Sequence, residues 1–187
     1  SNMLSKASEY MAKWGKRPKI TGYLTRSADE VKVQMAAIYA ALQSQNIVYN
    51  NVPPSYERLG QRVRLPYSVI ENRQGTCLDL AVTYASCLEA AGLFPLIMIK
   101  KGHAYCGCRL EEETFADCVI DDYSAIDKRT VSGNEDILLV ECTDFTASKN
   151  VDFDKAVKHG KDNLLDSGSF ICAVDVRRSR AGGLRPI

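Results

Sequence analysis

The stretch RQGTCLDLAVTYASCLEAAG, residues 73–92, places one cysteine, Cys77, directly behind a Gly-Thr pair. Gly75 permits a bend, Thr76 can cap a helix, and Asp79 stands three residues on as its capping-box partner. Leu80, Tyr84, Cys87, Leu88 and Ala91 then mark one helical face, and Gly92 stands where a C-terminal glycine cap belongs. The spacing predicts a helix from about Cys77 to Ala91, with Cys77 in its first turn. Unpaired N–H groups and the helix dipole favour a thiolate there, and the same groups can stabilise an oxyanion on an acyl group carried by the sulfur. The chain has seven cysteines. Only Cys77 has this placement. Cys87 belongs to the packed face of the same helix, and Cys118, Cys142 and Cys172 alternate with apolar strand residues.

A cysteine nucleophile needs a base, and the chain offers two histidines. His159, in AVKHGKDN, reads as a surface residue. His103 follows Gly102 at the entrance of a strand, from which its ring can reach across to a helix N-terminus. A carboxylate or amide must then orient the imidazole. Glu141 interrupts the apolar run LLVECT, and a carboxylate there is costly to bury without a partner. It is the first candidate and Asp144 the second. Gln61, in GQRVR, is the candidate oxyanion donor, with Gln74 the alternative. A zinc reading also exists, because His103, Cys106 and Cys108 form H-x2-C-x-C, with Cys77 or Cys118 to complete it. Strand alternation sets His103 and Cys106 on opposite faces, so the expectation is no metal and no cofactor.

The surrounding elements must hold these groups. Residues 6–14 can form a short helix. Ser27 and Glu30 have capping-box spacing before Val31, Met35, Ile38 and Leu42, which form one face of a second helix ending near Asn46. Ile47–Tyr49 is short and extended, 50–54 is a proline-rich loop, and a helical turn follows Pro66. After the Cys77 helix come strands at 95–100 and 104–110, an exposed run Glu111–Glu113, a possible third strand at 114–120, a polar stretch at 127–135, and a strand over 137–142. A helix over about 152–165 and a strand over 170–176 complete the order. Helices first and mostly antiparallel strands afterwards make an α+β class.

The bulk composition narrows the field. The 187 residues suit one domain over 1–187; Ser1-Asn2 reads as a cloning remnant, and the abrupt loop-like ending reads as a cut from a longer polypeptide. Net charge is +1, which predicts neither direct nucleic-acid binding nor attraction to a membrane surface. The basic run Arg177–Arg180 reads as a solvated end. No apolar run has the length of a membrane span and no export signal is visible, so the odd cysteine count reads as reduced thiols in a cytoplasmic protein.

The order Cys, His, acid, with its surroundings, resembles the transglutaminase-like superfamily of papain-related cysteine enzymes. GTCLDLAVTYASCLEAAGLFPLIM matches the nucleophile helix and following strand, GHAYCGCRL the histidine strand, LLVECT the acid strand, and QRVRLPYSVIENRQG the approach segment. The likeness spans about 61–143. It implies a nucleophile helix packed on an antiparallel sheet or small barrel, with Cys77 as nucleophile, His103 as general base and acid, and Glu141 where the family usually has Asp. It also implies hydrolysis of an amide or peptide, or transamidation, through a thioester on a peptide or protein substrate. The closest likeness is to segments embedded in large bacterial multidomain proteins, which makes other domains of a longer parent expected partners. The Asp-to-Glu departure leaves an alternative: a catalytically weak or inactive module that binds a peptide or partner domain.

Overall fold

The structure is a computed structural model and describes residues 2–50 and 62–184. Gln61, the candidate oxyanion donor, lies outside the described residues. The first helix, α1 (Asn2–Lys13), buries Met3, Ala7 and Met11, one face at i, i+4 and i+8, against α2 (Ala28–Gln43). Ser27 caps α2 by accepting the Glu30 N–H, and Val31, Met35, Ile38 and Leu42 are buried as their spacing requires. A two-residue strand β1 (Val48–Tyr49), the helix α3 (Pro66–Asn72), a second two-residue strand β2 (Gln74–Gly75) and α4 (Cys77–Ala90) follow.

The remaining strands are β3 (Pro95–Lys100), β4 (His103–Arg109), β5 (Val119–Ile120), β6 (Ile137–Val140) and β7 (Phe170–Asp175). They form one sheet in the order β5-β7-β3-β4-β6 with every neighbouring pair antiparallel. The class is therefore α+β. Alternation along the strands divides the core between two faces. Ala104, Cys106, Cys108, Leu138 and Val140 join the cluster that takes in Leu80, Tyr84 and Leu88 of α4. Tyr105, Ile137 and Leu139 join a second cluster with Leu96, Met98, Ile126 and Leu164. The helix α5 (Tyr123–Asp127) contributes Ile126 to that second cluster. Burial of a side chain such as Leu80 or Leu88 contributes roughly 2 kcal/mol, so α4 is anchored along its length. The Tyr84 hydroxyl also donates to the Met35 carbonyl of α2 at 2.9 Å.

Two helices complete the chain. The helix α6 (Phe153–Leu165) packs on β6, and α7 (Val176–Ala181) follows β7 directly. Gly160 makes the α6 contact possible. A Cβ at this position would stand 2.6 Å from the Leu139 carbonyl carbon and 2.7 Å from the Val140 nitrogen, so any side chain would force helix and strand apart.

The structure departs from the sequence expectations in several places. The acid strand ends at Val140, and residues 142–145 turn into a 3-10 helix. Glu141 caps that turn by accepting the Thr143 N–H, which removes it from the ladder. The expected third strand at 114–120 shrinks to two residues, and a helix that the spacing does not mark, α5, stands at Tyr123–Asp127, before the polar stretch. The basic run is tied to the fold, although Arg177 and Arg178 stay exposed to solvent. Arg177 stacks on Phe94, Arg178 donates to the Ala116 carbonyl, and Arg180 forms a two-pronged bond to Glu89 of α4. Long apolar stems and planar guanidinium groups let arginines fold into a helix that sequence polarity alone reads as free.

Candidate active site

Several local interactions fix the start of α4. Arg73 takes the left-handed conformation (φ +52°) and ends α3, after which Gln74-Gly75 pair in parallel with Val48-Tyr49. Gly75 is tight as well as bent. A Cβ there would lie 3.1 Å from that of Asp79 and 3.3 Å from the Val69 side chain. The capping box is formed in both directions: the Thr76 hydroxyl accepts from the Asp79 N–H at 3.3 Å, and the Asp79 carboxylate accepts from the Thr76 N–H at 3.0 Å. Asp79 also receives the Arg64 N–H at 2.7 Å and its guanidinium at 2.8 Å. Burial would push this carboxyl up, but the Thr76 and Arg64 donors outweigh it and hold it below the usual range. One buried carboxylate thus ties the approach segment 62–65 to the first turn of α4.

Cys77 is the first residue of α4 and is half-buried. His103 opens β4, immediately after the turn at Gly102 (φ +74°). Its Nε2 is 2.6 Å from Oε2 of Glu141, and the Cys77 thiol stands close enough to the ring for each group to shift the other's protonation. The ring stacks near-parallel on Tyr105, 6.3 Å between centroids. The structure therefore brings Cys77, His103 and Glu141 to one place, where the N-terminus of α4, the β3–β4 turn and the end of β6 meet. Glu141 reaches His103 from its capping position, and there its longer side chain has a use. One oxygen accepts the Thr143 N–H and hydroxyl, each at 2.8 Å, while the other meets His103.

The electrostatics of the three groups agree in direction. Burial raises the Cys77 thiol, but hydrogen bonds from His103 and from the Ala104 and Leu78 N–H groups, with the imidazole charge, bring it below the ordinary thiol value. Burial works against a charged His103, yet its bonds to Cys77 and Glu141 lift it to about 9. Burial likewise opposes a charged Glu141, and His103 and Thr143 bring it down to about 2. All three shifts favour the same charge-separated state: thiolate, imidazolium, carboxylate. Cys87, ten residues along the same helix, shows the contrast, since burial alone pushes its thiol up to about 11.

Three neighbours were not visible in the sequence as parts of this site. Tyr49 pairs with Gly75 across β1–β2, which sets its hydroxyl near Cys77. Asn163 of α6 donates to Glu141 Oε2 at 2.6 Å. Lys149 donates to the Thr143 hydroxyl at 2.6 Å. Tyr49 and Asn163 have no local signal, because each is brought in by a partner distant in sequence; Lys149 folds back from only six residues on. Gln74, the alternative oxyanion donor, has its side-chain oxygen engaged by Asn50 at 2.9 Å.

The second-choice acid, Asp144, serves the other histidine. It is buried, accepts from Lys149 at 3.2 Å, and meets His159 Nδ1 at 2.6 Å. His159 is on the surface as expected, but it is not an isolated polar residue. The H-x2-C-x-C residues separate. His103 joins Glu141, while Cys106 and Cys108 are buried in the core with their thiols directed at backbone carbonyls. Among the described residues no group of three or more His, Cys, Asp or Glu could hold a metal ion, and no helix is long and apolar enough to cross a membrane. Comparison with family models, curated proteins and solved structures gave no match to this chain.

Proposed function

We propose that this protein is a cysteine-dependent acyl-transfer enzyme with a transglutaminase-like, papain-related fold, acting on a carboxamide or peptide bond. The observation that carries this reading is that one imidazole, His103, meets the buried carboxylate of Glu141 at 2.6 Å and neighbours the thiol at the start of α4. A nucleophile, a base and an orienting acid in that order are the parts acyl transfer requires. Cys77 as thiolate attacks the carbonyl carbon. The carbonyl electrons pass to oxygen, where the Cys77 and Leu78 N–H groups of the first helical turn and the Tyr49 hydroxyl stand as donors. The C–N bond then breaks, His103 delivers its proton to the leaving amine, and the acyl group stays on sulfur as a thioester. Water, or a second amine, gives a proton back to His103 as it attacks, and the thiolate leaves. Glu141 keeps the ring oriented and its charged form stable throughout.

The resemblance in 61–143 supports the same reading, and the helix-on-antiparallel-sheet arrangement is compatible with it. The Glu-for-Asp departure, which favoured a non-catalytic module, loses weight because the longer side chain reaches His103 while capping the turn at Thr143. The test is competitive alkylation. Iodoacetamide at pH 6–7, followed by peptide mass analysis, is expected to label Cys77 far faster than Cys87. Equal rates at the two cysteines would sink the proposal.

A further inference from the structure

We infer that Asn163 is a positioning residue that holds the Glu141 carboxylate in register with His103. This inference rests on the triad reading above and adds a fourth member to it. A carboxylate offers about four lone-pair sites. In Glu141 all four are engaged: Oε1 by the Thr143 N–H and hydroxyl, Oε2 by His103 and by the Asn163 amide, the last two at 2.6 Å each. Glutamate carries one more rotatable bond than aspartate, so it needs more restraint to present one oxygen to an imidazole. Without Asn163, Oε2 would keep only the histidine, and the carboxylate could swing about its remaining anchor.

Asn163 is itself held from both sides. The helix α6 is pressed on β6 at Gly160, one turn earlier, where no side chain would fit. The Glu141 N–H donates to the Ala156 carbonyl of the same helix at 2.9 Å. At the far end, the Lys100 ammonium donates to the Asn163 carbonyl at 3.0 Å, a cation near a helix C-terminus where the dipole favours it. Lys100 is also the cross-strand partner of His103. The residue that orients the acid and the residue that the acid orients are therefore tied to the same hairpin end.

The test follows Cys77 alkylation by iodoacetamide from pH 5 to 9 in the full chain, together with thermal unfolding. Three proteins are compared: wild type, Asn163→Leu, which keeps the shape without the donor, and Asn163→Gln, which keeps an amide. Asn163→Leu is expected to move the alkylation midpoint up by about one pH unit, with roughly tenfold slower labelling at pH 6. Its melting temperature should stay near that of wild type, and Asn163→Gln should recover part of the loss. A wild-type midpoint in Asn163→Leu overturns the inference. Should that variant not fold, Asn163→Ser, too short to reach Glu141, takes its place; unfolding of both overturns the inference too, because Asn163 would then serve the fold and not the site. The two readings are separable. If wild-type Cys77 labels no faster than Cys87, the acyl-transfer reading fails. The positioning role is then read from the His103 ring-nitrogen titration by NMR, where a midpoint unchanged in Asn163→Leu would overturn it.

Discussion

Two histidine–carboxylate pairs lie on either side of Thr143, and both have nitrogen and oxygen 2.6 Å apart. In His103–Glu141 the histidine side chain is 24% exposed and the acid 6%, whereas in His159–Asp144 the histidine is 46% exposed. The first pair faces a thiol at a helix start. The second faces solvent and a lysine, Lys149, which bonds Asp144 and Thr143 alike. Geometry of the pair alone therefore does not make a site. What separates them is the third group: one imidazole lies beside a thiol at a helix start and the other shares its acid with a lysine.

The most severe way to break the comparison is to remove one histidine at a time. His103→Ala should slow Cys77 alkylation at pH 6.5 by about 100-fold or more, the lower range of a general base's contribution, while His159→Ala leaves the rate unchanged. Equal effects on Cys77 from the two variants would erase the distinction. Next come the acids. Glu141→Gln should cost roughly tenfold in the same assay, as expected when the partner of a catalytic imidazole loses its charge. Asp144→Ala should act on stability, by about 1–3 kcal/mol in denaturant unfolding, because it leaves Lys149 and His159 without their buried acceptor, and labelling should persist.

A third prediction concerns the helix that supplies Asn163. Gly160→Ala places a methyl against the Leu139 carbonyl and should destabilise the chain by about 1–3 kcal/mol; it displaces His159, which rides on α6, directly, and reaches His103–Glu141 through Asn163. Unfolding midpoints and the Cys77 labelling rate read the two effects separately. The smallest expected effect is the pH dependence of the first pair. Glu141 is lowered from 4.5 to about 2, so its stabilisation is full above pH 4.5 and fades as pH falls toward 2. His103 is raised from 6.5 to about 9, so its stabilisation is full below pH 6.5 and is lost as pH rises through 9. The stability difference between wild type and His103→Ala should therefore be greatest between about pH 4.5 and 6.5 and narrow on either side. A difference that grows above pH 9 would contradict these assignments.

Much of the site's frame was legible because its determinants are local. Thr76 and Asp79 announce a helix start, Gly102 a turn, and the run 137–140 a buried strand. That Glu141 needs a partner is legible, since an acid stands at the end of an apolar run, but its backbone is not, because a 3-10 turn and a continuing strand share the same apolar residues. Which of the two acids meets His103 is not legible in LLVECTD, because Glu141 and Asp144 are both buried and each meets a histidine. Asn163 and Tyr49 could not be read at all. One is an ordinary amide in a polar helix, 22 residues from the acid it contacts, and the other is a tyrosine in a two-residue strand. Long-range pairings of this kind are settled by the packing of α6 on β6 and of β1 on β2.

The Asp79–Arg64 pair has one more consequence. A carboxylate two residues from the Cys77 sulfur would ordinarily repel the very charge that the helix start invites. Here the guanidinium of Arg64 cancels it at 2.8 Å, leaving the capping geometry in place while removing its electrical cost. The approach segment thus acts as a local counterion. Replacing Arg64 with an uncharged residue would keep the helix cap and leave its carboxylate opposing negative charge on Cys77.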